Sequence, residues 1–518
     1  MGLGDILRRS AAKFPNKDAL VFGEHRLTYG ELNRRVNRLT DSLLRTGLQK
    51  GDRVALLLHN CPEFIELYFA CAKSGGILVP INNLLKEGEL NYIFDYIKPR
   101  FVFFDPEFIP LIQGIGPRAP FMEHPVVLND TGPGFNVYEN FLGRGSAGEP
   151  DMPISRDDIF SIFLTSGTTG RPKGAMRTHH HNLTNIMSCA IELGLTYDDR
   201  VLLLSPFYHV SFEDQIRHVL MSNTIVIKKE GSFDPREVLE ILATERITTA
   251  QFVPTMINAM LQAKDIETYD LGHFRLMPYA ASPMPVELLK RAMQRFNCGF
   301  VQLYGQTETG PATTALRPED HVLEGSEEQM ARLASAGRPI VDCEVRIVDD
   351  EGDDVPVGEI GEIIVRTEAM TVGYWELPEE TAKTIRNGWL YTGDYGRRDA
   401  EGYVFIVDRK NDMIISGGKN IYPREVEEVI YGHEAVLEVA VVGIPDDYWG
   451  ESVKALVVLK EGMHATEREI IDLCKQKLAS YKKPKSVEFR SDLPRNPTGK
   501  LLKRKIRDEF WQGRERRV

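Results

Sequence analysis

Cysteine is scarce and scattered in this chain of 518 residues, with six thiols at positions 61, 71, 189, 298, 343 and 474. No two share the short spacing of a zinc site or a Cys-x-x-Cys redox pair, so free thiols in a reducing compartment are expected. Long apolar runs are missing as well. No stretch approaches the ~18 apolar residues of a membrane span. The amino terminus, MGLGDILRRSAAKFP, lacks the apolar centre of a secretory signal, and Ile6 stands where N-myristoylation asks for Ser or Thr. Excess positive charge is absent too: a net charge of −12 argues against the broad basic surface that duplex nucleic acid requires. A local positive pocket for phosphates remains compatible with it. These absences describe a cytoplasmic protein with no nucleic-acid partner and no integral membrane segment.

What is present is globular in composition, 42% hydrophobic and 27% charged, and too long for one ordinary core. Over the first 150 residues helical and strand patterns alternate. Leu32, Val36, Leu39, Leu43 and Leu44 recur at helical spacing, and Gly47 follows as a stop. Continuous apolar segments at 54–58, 77–81 and 101–104 read as buried strands, with a helix over 62–74 between the first two. Such runs imply a mainly parallel sheet covered on both faces. The alternation returns over 159–304. From Val341 to Arg366 the period becomes two, which predicts antiparallel sheet closing as a small barrel. After residue 411 a compact unit follows, with helices near 423–431 and 466–479 and strands near 436–443, 453–459 and 486–490. The expected architecture is therefore α/β: a large N-terminal domain of two helix-covered sheets plus a small β-barrel, then a small mobile α+β domain. The divisions fall at 1–408, a hinge at 409–412, and 413–518.

The segment Thr165-Ser-Gly-Thr-Thr-Gly-Arg-Pro-Lys-Gly174 follows the apolar run 159–164 directly. A strand thus feeds a loop with three glycines, four hydroxyls, an Arg and a Lys. Glycines let backbone N–H groups approach an anion, hydroxyls donate further hydrogen bonds, and Lys supplies a point charge, a design suited to polyphosphate. It is not a Walker A loop, because Pro172 and Ala175 stand where that motif needs its second glycine.

This loop resembles the phosphate-loop signature of the adenylate-forming (AMP-binding) superfamily, in its acyl-CoA synthetase branch. Four more motifs follow in that family's order: Tyr304-Gly-Gln-Thr-Glu308, Tyr391-Thr-Gly-Asp394, Asp408-Arg409 with Gly417-Gly418, and Pro494-Arg-Asn-Pro-Thr-Gly-Lys500. The resemblance covers essentially the whole chain. It implies an acid–thiol ligase that converts a carboxylic acid, ATP and CoA to acyl-CoA, AMP and pyrophosphate through an acyl-adenylate. The carboxy-terminal domain would rotate between the two half-reactions.

The resemblance also implies roles. Thr165, Ser166, Gly167, Thr168, Thr169, Gly170 and Lys173 would hold the ATP phosphates. Glu308 would be the Mg²⁺-associated carboxylate, a hard oxygen ligand suited to an ion that shares phosphates. Thr307 would donate to the α-phosphate and Tyr304 lie against adenine, with Gly305, Gln306, Ala281 and Ser282 completing the nucleotide site. Asp394 would accept from the ribose hydroxyls, backed by Arg409. Lys500 would bridge the carboxylate and the α-phosphate, offsetting their repulsion and fixing their geometry. Asn411 would be the hinge, where relatives usually carry Asp or Lys. Gly417 and Gly418 would line the CoA passage, although a plain turn between strands explains them equally well.

For the acid, His209 would line or gate an acyl channel with Phe212, Phe252, Tyr279 and Gly305 as walls, and apolar walls favour a fatty or aryl acid. The consecutive His179, His180 and His181 cannot share a helix face, so they read as loop or helix-start residues and not as a zinc site. The cluster Lys503, Arg504, Lys505 and Arg507 is either a solvated face or an attraction for CoA phosphates. Two alternatives stand beside the CoA reading: an adenylation enzyme loading a separate acyl carrier protein, and a nucleotide-binding regulator without turnover. The oligomeric state is open, a homodimer included.

Overall fold

The computed structural model describes residues 2–129, 134–165, 172–231, 233–409, 412–495 and 501–512. Two large sheets form its centre. The first has nine strands, with Gly299–Gln306, Leu276–Tyr279, Thr249–Ala250, Arg200–Leu203, Thr224–Ile227 and Asp18–Phe22 in parallel succession and antiparallel strands at both edges. The second has eight, built on parallel Ile159–Thr165, Ile77–Pro80, Arg53–Leu57, Phe101–Phe104 and His124–Val127.

The continuous apolar runs are explained by burial on both faces. Val54 and Leu56 face a cluster shared with Val201, Leu203 and Ile225 of the other sheet. Ala55 and Leu57 face an outer cluster with Ile93, Phe94 and Ile97. The two sheets thus sandwich one layer of helices, which includes Tyr29–Arg45, Pro62–Ser74 and His179–Glu192, and each sheet carries further helices outside. Local signals set the helix ends. Thr28 and Glu31 make a reciprocal capping box, while Pro62 opens the next helix and Gly75, at φ +80°, closes it.

Where a barrel was expected, five antiparallel strands form an open sheet. Its long strand Trp389–Arg398 pairs with Gly361–Thr367 on one side and with Ile385–Arg386 and Val404–Arg409 in succession on the other. Cys343–Val348 is the last named strand on the Gly361–Thr367 side, and its end turns back in an isolated antiparallel bridge from Val348 to Asp354. The period of two is present as anticipated, but alternation specifies pairing and a buried face, not closure.

A fourth sheet, beginning at Ile414–Ser416, holds the carboxy-terminal unit with helices Pro423–Tyr431, Glu467–Lys477 and Lys503–Phe510. Among the described residues no helix is long and apolar enough to cross a membrane.

Candidate active site

Parallel α/β sheets bind ligands beyond the carboxyl ends of their strands, and the motif residues collect at those ends. Strand Ile159–Thr165 runs into the phosphate loop, and Lys173 begins the antiparallel return strand directly opposite Thr165. Strand Gly299–Gln306 delivers Tyr304 and Gln306, with Thr307 and Glu308 in the turn beyond it. Strand Leu276–Tyr279 leads to Ala281 and Ser282, and strand Arg200–Leu203 leads to His209.

Asp394 is the centre of the arrangement. It is 5% exposed, and its Oδ2 accepts from the Tyr304 hydroxyl at 2.8 Å and the Gln306 Nε2 at 2.7 Å. Arg409 stands opposite it in the strand pair, with Nε 3.4 Å from Oδ1. The YGQTE and YTGD motifs, about ninety residues apart, are one hydrogen-bonded unit. Burial, and then the Asp394 charge, push the Tyr304 phenol well above its ordinary range, so it is a neutral donor to the carboxylate. The Arg409 side chain is half exposed and reachable by a ligand.

Glu308 sits at the other end of the same turn. Its backbone carbonyl accepts from Thr371 N at 2.7 Å and its Oε1 from the Tyr374 hydroxyl at 2.9 Å. The Lys173 ammonium lies 5.3 Å from the centre of the same Tyr374 ring and forms an ion pair with Glu380 at 2.6 Å. Phosphate-loop lysine, Tyr374 and Glu308 are therefore neighbours. Gly305 is explained by packing: a Cβ there would come within 2.6 Å of the Gly310 and Pro311 carbonyl oxygens. Ala281 holds φ +70°, a conformation that costs a non-glycine residue about 1 kcal/mol or more and exposes backbone where the chain leaves its strand.

His209 caps the short helix Val210–Gln215, its Nδ1 accepting from Ser211 N at 3.3 Å. The three aromatic residues anticipated as acyl walls are elsewhere. Phe212 is 1% exposed and packs against Phe64 and Phe207 in the layer between the sheets. Phe252 and Tyr279 belong to the outer cluster of the nine-stranded sheet, where the Tyr279 hydroxyl meets His321 Nε2 at 3.0 Å. Strand parity is the reason: side chains at the carboxyl end alternate between the two faces, and both rings fall on the face away from His209's helix. Ser166, Gly167, Thr168, Thr169, Gly170, Asn411 and Lys500 lie outside the described residues.

The three consecutive histidines start a helix. Thr178 caps it with His181, His179 accepts from Leu3 N at 3.2 Å, and His180 meets Glu368 at 3.1 Å. Burial lowers His179 and His181 to about 4. Among the described residues no group of three or more His, Cys, Asp or Glu side chains is placed to hold a metal ion. The basic cluster near the carboxy terminus is internally paired: Lys503 to Glu427 at 2.8 Å, Arg507 to Asp412 at 3.0 Å and Arg504 to Asp508 at 3.7 Å.

Gly417 and Gly418, at φ +57° and +74°, are the two-residue turn of a hairpin between Ile414–Ser416 and Lys419–Ile421. Gly417 is under a second constraint. Its N–H donates to the Trp449 carbonyl at 2.8 Å, and a Cβ would fall 2.4 Å from the Trp449 ring. Around this contact lies a surface that motif matching missed. Tyr448, Trp449 and Tyr481 are exposed by 82%, 45% and 43%, and Lys419, Lys482 and Lys485 stand 4.5–5.8 Å from the Tyr481 or Trp449 rings. Adjacent aromatic residues in the turn Asp446-Asp-Tyr-Trp449 and an aromatic residue beside two lysines in Tyr481-Lys-Lys483 were the available signal.

Residues 7–375 match the family model described as AMP-binding enzyme, and residues 425–500 match the AMP-binding enzyme C-terminal domain. The chain belongs to this family, and it is an AMP-forming acid–thiol ligase that works through an acyl-adenylate. It is 37% identical to a feruloyl-CoA synthase from Amycolatopsis sp over 98% of this chain and 99% of that one. It is 36% identical to the fatty acid–[acyl-carrier-protein] ligase ScoC of Streptomyces coeruleorubidus, over 97% and 95%. Its structure resembles that of the anthranilate CoA ligase AuaEII in complex with anthranoyl-AMP, with a TM-score of 0.91 and 31% identity over 98% and 97%.

Proposed function

We propose that this enzyme is a cytoplasmic ligase that activates a fatty or aryl acid with Mg-ATP and passes the acyl group to free CoA. The observation that carries the nucleotide half is the convergence of Tyr304, Gln306 and Arg409 on Asp394. A buried carboxylate held by two hydrogen-bond donors and an arginine ion pair is oriented in advance to accept from two vicinal hydroxyls. Glu308 fits Mg²⁺: it is one hard oxygen ligand whose Oε1 is oriented by Tyr374, and magnesium takes the rest of its shell from phosphates and water. When bound, the ion would neutralise charge on the phosphates. Lys173 would exchange Glu380 for the phosphates, and Lys500 would lie between the acid carboxylate and the α-phosphate. The acyl-adenylate keeps an activated carbonyl until a thiolate attacks, expelling AMP.

The acceptor is read from the surface around Gly417. A pantetheine arm passing a glycine turn ends in a nucleotide with a planar base and several phosphates. Trp449 and Tyr481 offer stacking faces beside Lys419, Lys482 and Lys485, which suits that end. We assign the units 1–408 and 413–518 to separate domains that rotate about 409–412. The change of sheet between Val404–Arg409 and Ile414–Ser416 supports this division. Whether the chain works as a homodimer does not enter this chemistry.

The test is pyrophosphate release with Mg-ATP over fatty, aryl and amino acids, with and without CoA. Repeated turnover that requires one acid class and CoA is expected. Release limited to about one equivalent until an acyl carrier protein is added would replace CoA as acceptor. ATP binding with no release for any acid would favour a nucleotide-binding regulator.

A further inference from the structure

A fully buried ion pair joins the elements that present the phosphate-facing groups. Arg177, on the strand leaving the phosphate loop, is 0% exposed and places Nε 2.7 Å from Glu213 Oε2, itself 2% exposed. The same Nε donates to Asn182 Oδ1 at 2.7 Å. Glu213 belongs to the helix capped by His209, and its Oε1 accepts at 2.7 Å from Ser161, on the strand entering the phosphate loop. The Arg177 Nη1 then donates to two backbone carbonyls, Thr307 O at 3.3 Å and Ala369 O at 3.1 Å.

Those two carbonyls flank Glu308. Thr307 precedes it in the turn. Ala369 opens the segment in which Thr371 N bonds the Glu308 carbonyl and the Tyr374 hydroxyl bonds its carboxylate. One guanidinium thus clamps the turn that carries Glu308 to the segment that orients it. Stability alone is a weak reason for such a pair, since apolar residues of similar volume usually serve a core at least as well. A planar guanidinium, by contrast, can meet Asn182 and Glu213 through Nε while both hydrogens of its Nη1 fix the two carbonyls.

We propose that Arg177 is a positioning residue for adenylation: neutralised by Glu213, it fixes the Thr307 and Ala369 carbonyls and so aims Thr307 and Glu308 at the nucleotide phosphates. This rests on the reading of Thr307 and Glu308 given above. Arg177 touches neither substrate. Its effect belongs to the first half-reaction, because the second needs no new contact to a β- or γ-phosphate.

The test compares Arg177→Met, Arg177→Lys, the paired Arg177→Met/Glu213→Leu, and Glu308→Gln with the unmodified enzyme. Thermal melting, acid-dependent ATP–pyrophosphate exchange, and thioester formation from supplied acyl-adenylate and CoA are measured on each. The paired variant is expected to melt within a few degrees of wild type, since it leaves no lone buried charge. Its exchange rate constant should still fall ~10- to 100-fold, as misplacement of reacting groups does, with the KM for the acid and the thioester step unchanged. Arg177→Lys, which keeps the charge and loses the fork, should lose exchange in the same way, and it decides the matter if the paired variant does not fold. Full exchange in either variant, or an equal loss in both half-reactions, would overturn the proposal. Glu308→Gln separates the two levels: if it lowers exchange and the Arg177 variants do not, Arg177 alone has been misread. If Glu308→Gln leaves exchange intact, the reading of the turn itself fails.

Discussion

The Lys173 ammonium lies 2.6 Å from the Glu380 carboxylate, a partner 207 positions away in the chain. The Lys173 hydrogen bond, then that of Lys383, hold Glu380 down at about 2, so its carboxylate is ionised at any working pH. If Lys173 holds the ATP phosphates as proposed, triphosphate has to compete with Glu380 for it.

Removing that competitor should tighten ATP binding. For Glu380→Gln the KM for ATP is expected to fall by up to about five-fold, the scale of a partly exposed ion pair. Lys173→Met should raise it and slow exchange. An unchanged KM in Glu380→Gln would mean that nucleotide binding leaves the pair intact.

Asp394 and Tyr304 make a graded series. Asp394→Ala removes the acceptor of two hydrogen bonds and the partner of Arg409, and hydrogen bonds to a charged group contribute about 1.5–3 kcal/mol. The KM for ATP should rise at least ten-fold. Tyr304→Phe removes one donor and leaves Asp394 the Gln306 hydrogen bond and the Arg409 ion pair, so a rise of about five-fold is expected. Equal effects would show that Tyr304 acts on the nucleotide itself and not through Asp394.

Gly417→Ala tests the hairpin turn. The added Cβ meets the Trp449 ring at 2.4 Å, and the residue must hold φ +57°. Thioester formation from supplied acyl-adenylate should fall ~10-fold or more, while ATP–pyrophosphate exchange stays within two-fold. Parallel loss of both would assign Gly417 to folding. Gly418→Ala isolates backbone strain, because its Cβ meets nothing within 4 Å.

A pH-dependent contribution to stability is expected at His59. Its Nδ1 lies 3.1 Å from Glu230 and its Nε2 3.1 Å from Glu107. The Glu230 bond above all raises it, against burial, to about 9. A histidine raised above its ordinary 6.5 stabilises the fold fully below pH 6.5 and loses that effect as pH climbs through about 9. The melting-temperature gap between wild type and His59→Gln should accordingly shrink from pH 6 to pH 9.5, by a modest amount because the side chain is 36% exposed. A gap that is constant with pH would show that the histidine is not charged in the fold.

Much of this molecule was legible before folding. Apolar runs buried on both faces located strands such as Phe101–Phe104, and the helix expected over 62–74 is found as Pro62–Ser74. The family was legible because its motifs set particular residue types at adjacent positions, and adjacency is what a sequence displays. Asp394 and Arg409 were named from their motifs, and the structure brings both to Tyr304 and Gln306.

The tertiary structure decided what depends on facing and on distance through space. Phe212, Phe252 and Tyr279 have the composition of pocket walls, but packing took each ring into a core, because the face a strand or helix side chain takes is set by what covers it. The Lys173–Glu380 and Arg177–Glu213 pairs, and the Trp449 ring beneath Gly417, join residues far apart in the chain. A charge or a ring in sequence carries no mark of its partner. Residue types that stand side by side are written locally, whereas which distant segments meet, as Tyr304 and Gln306 meet Asp394, is settled only when the chain packs.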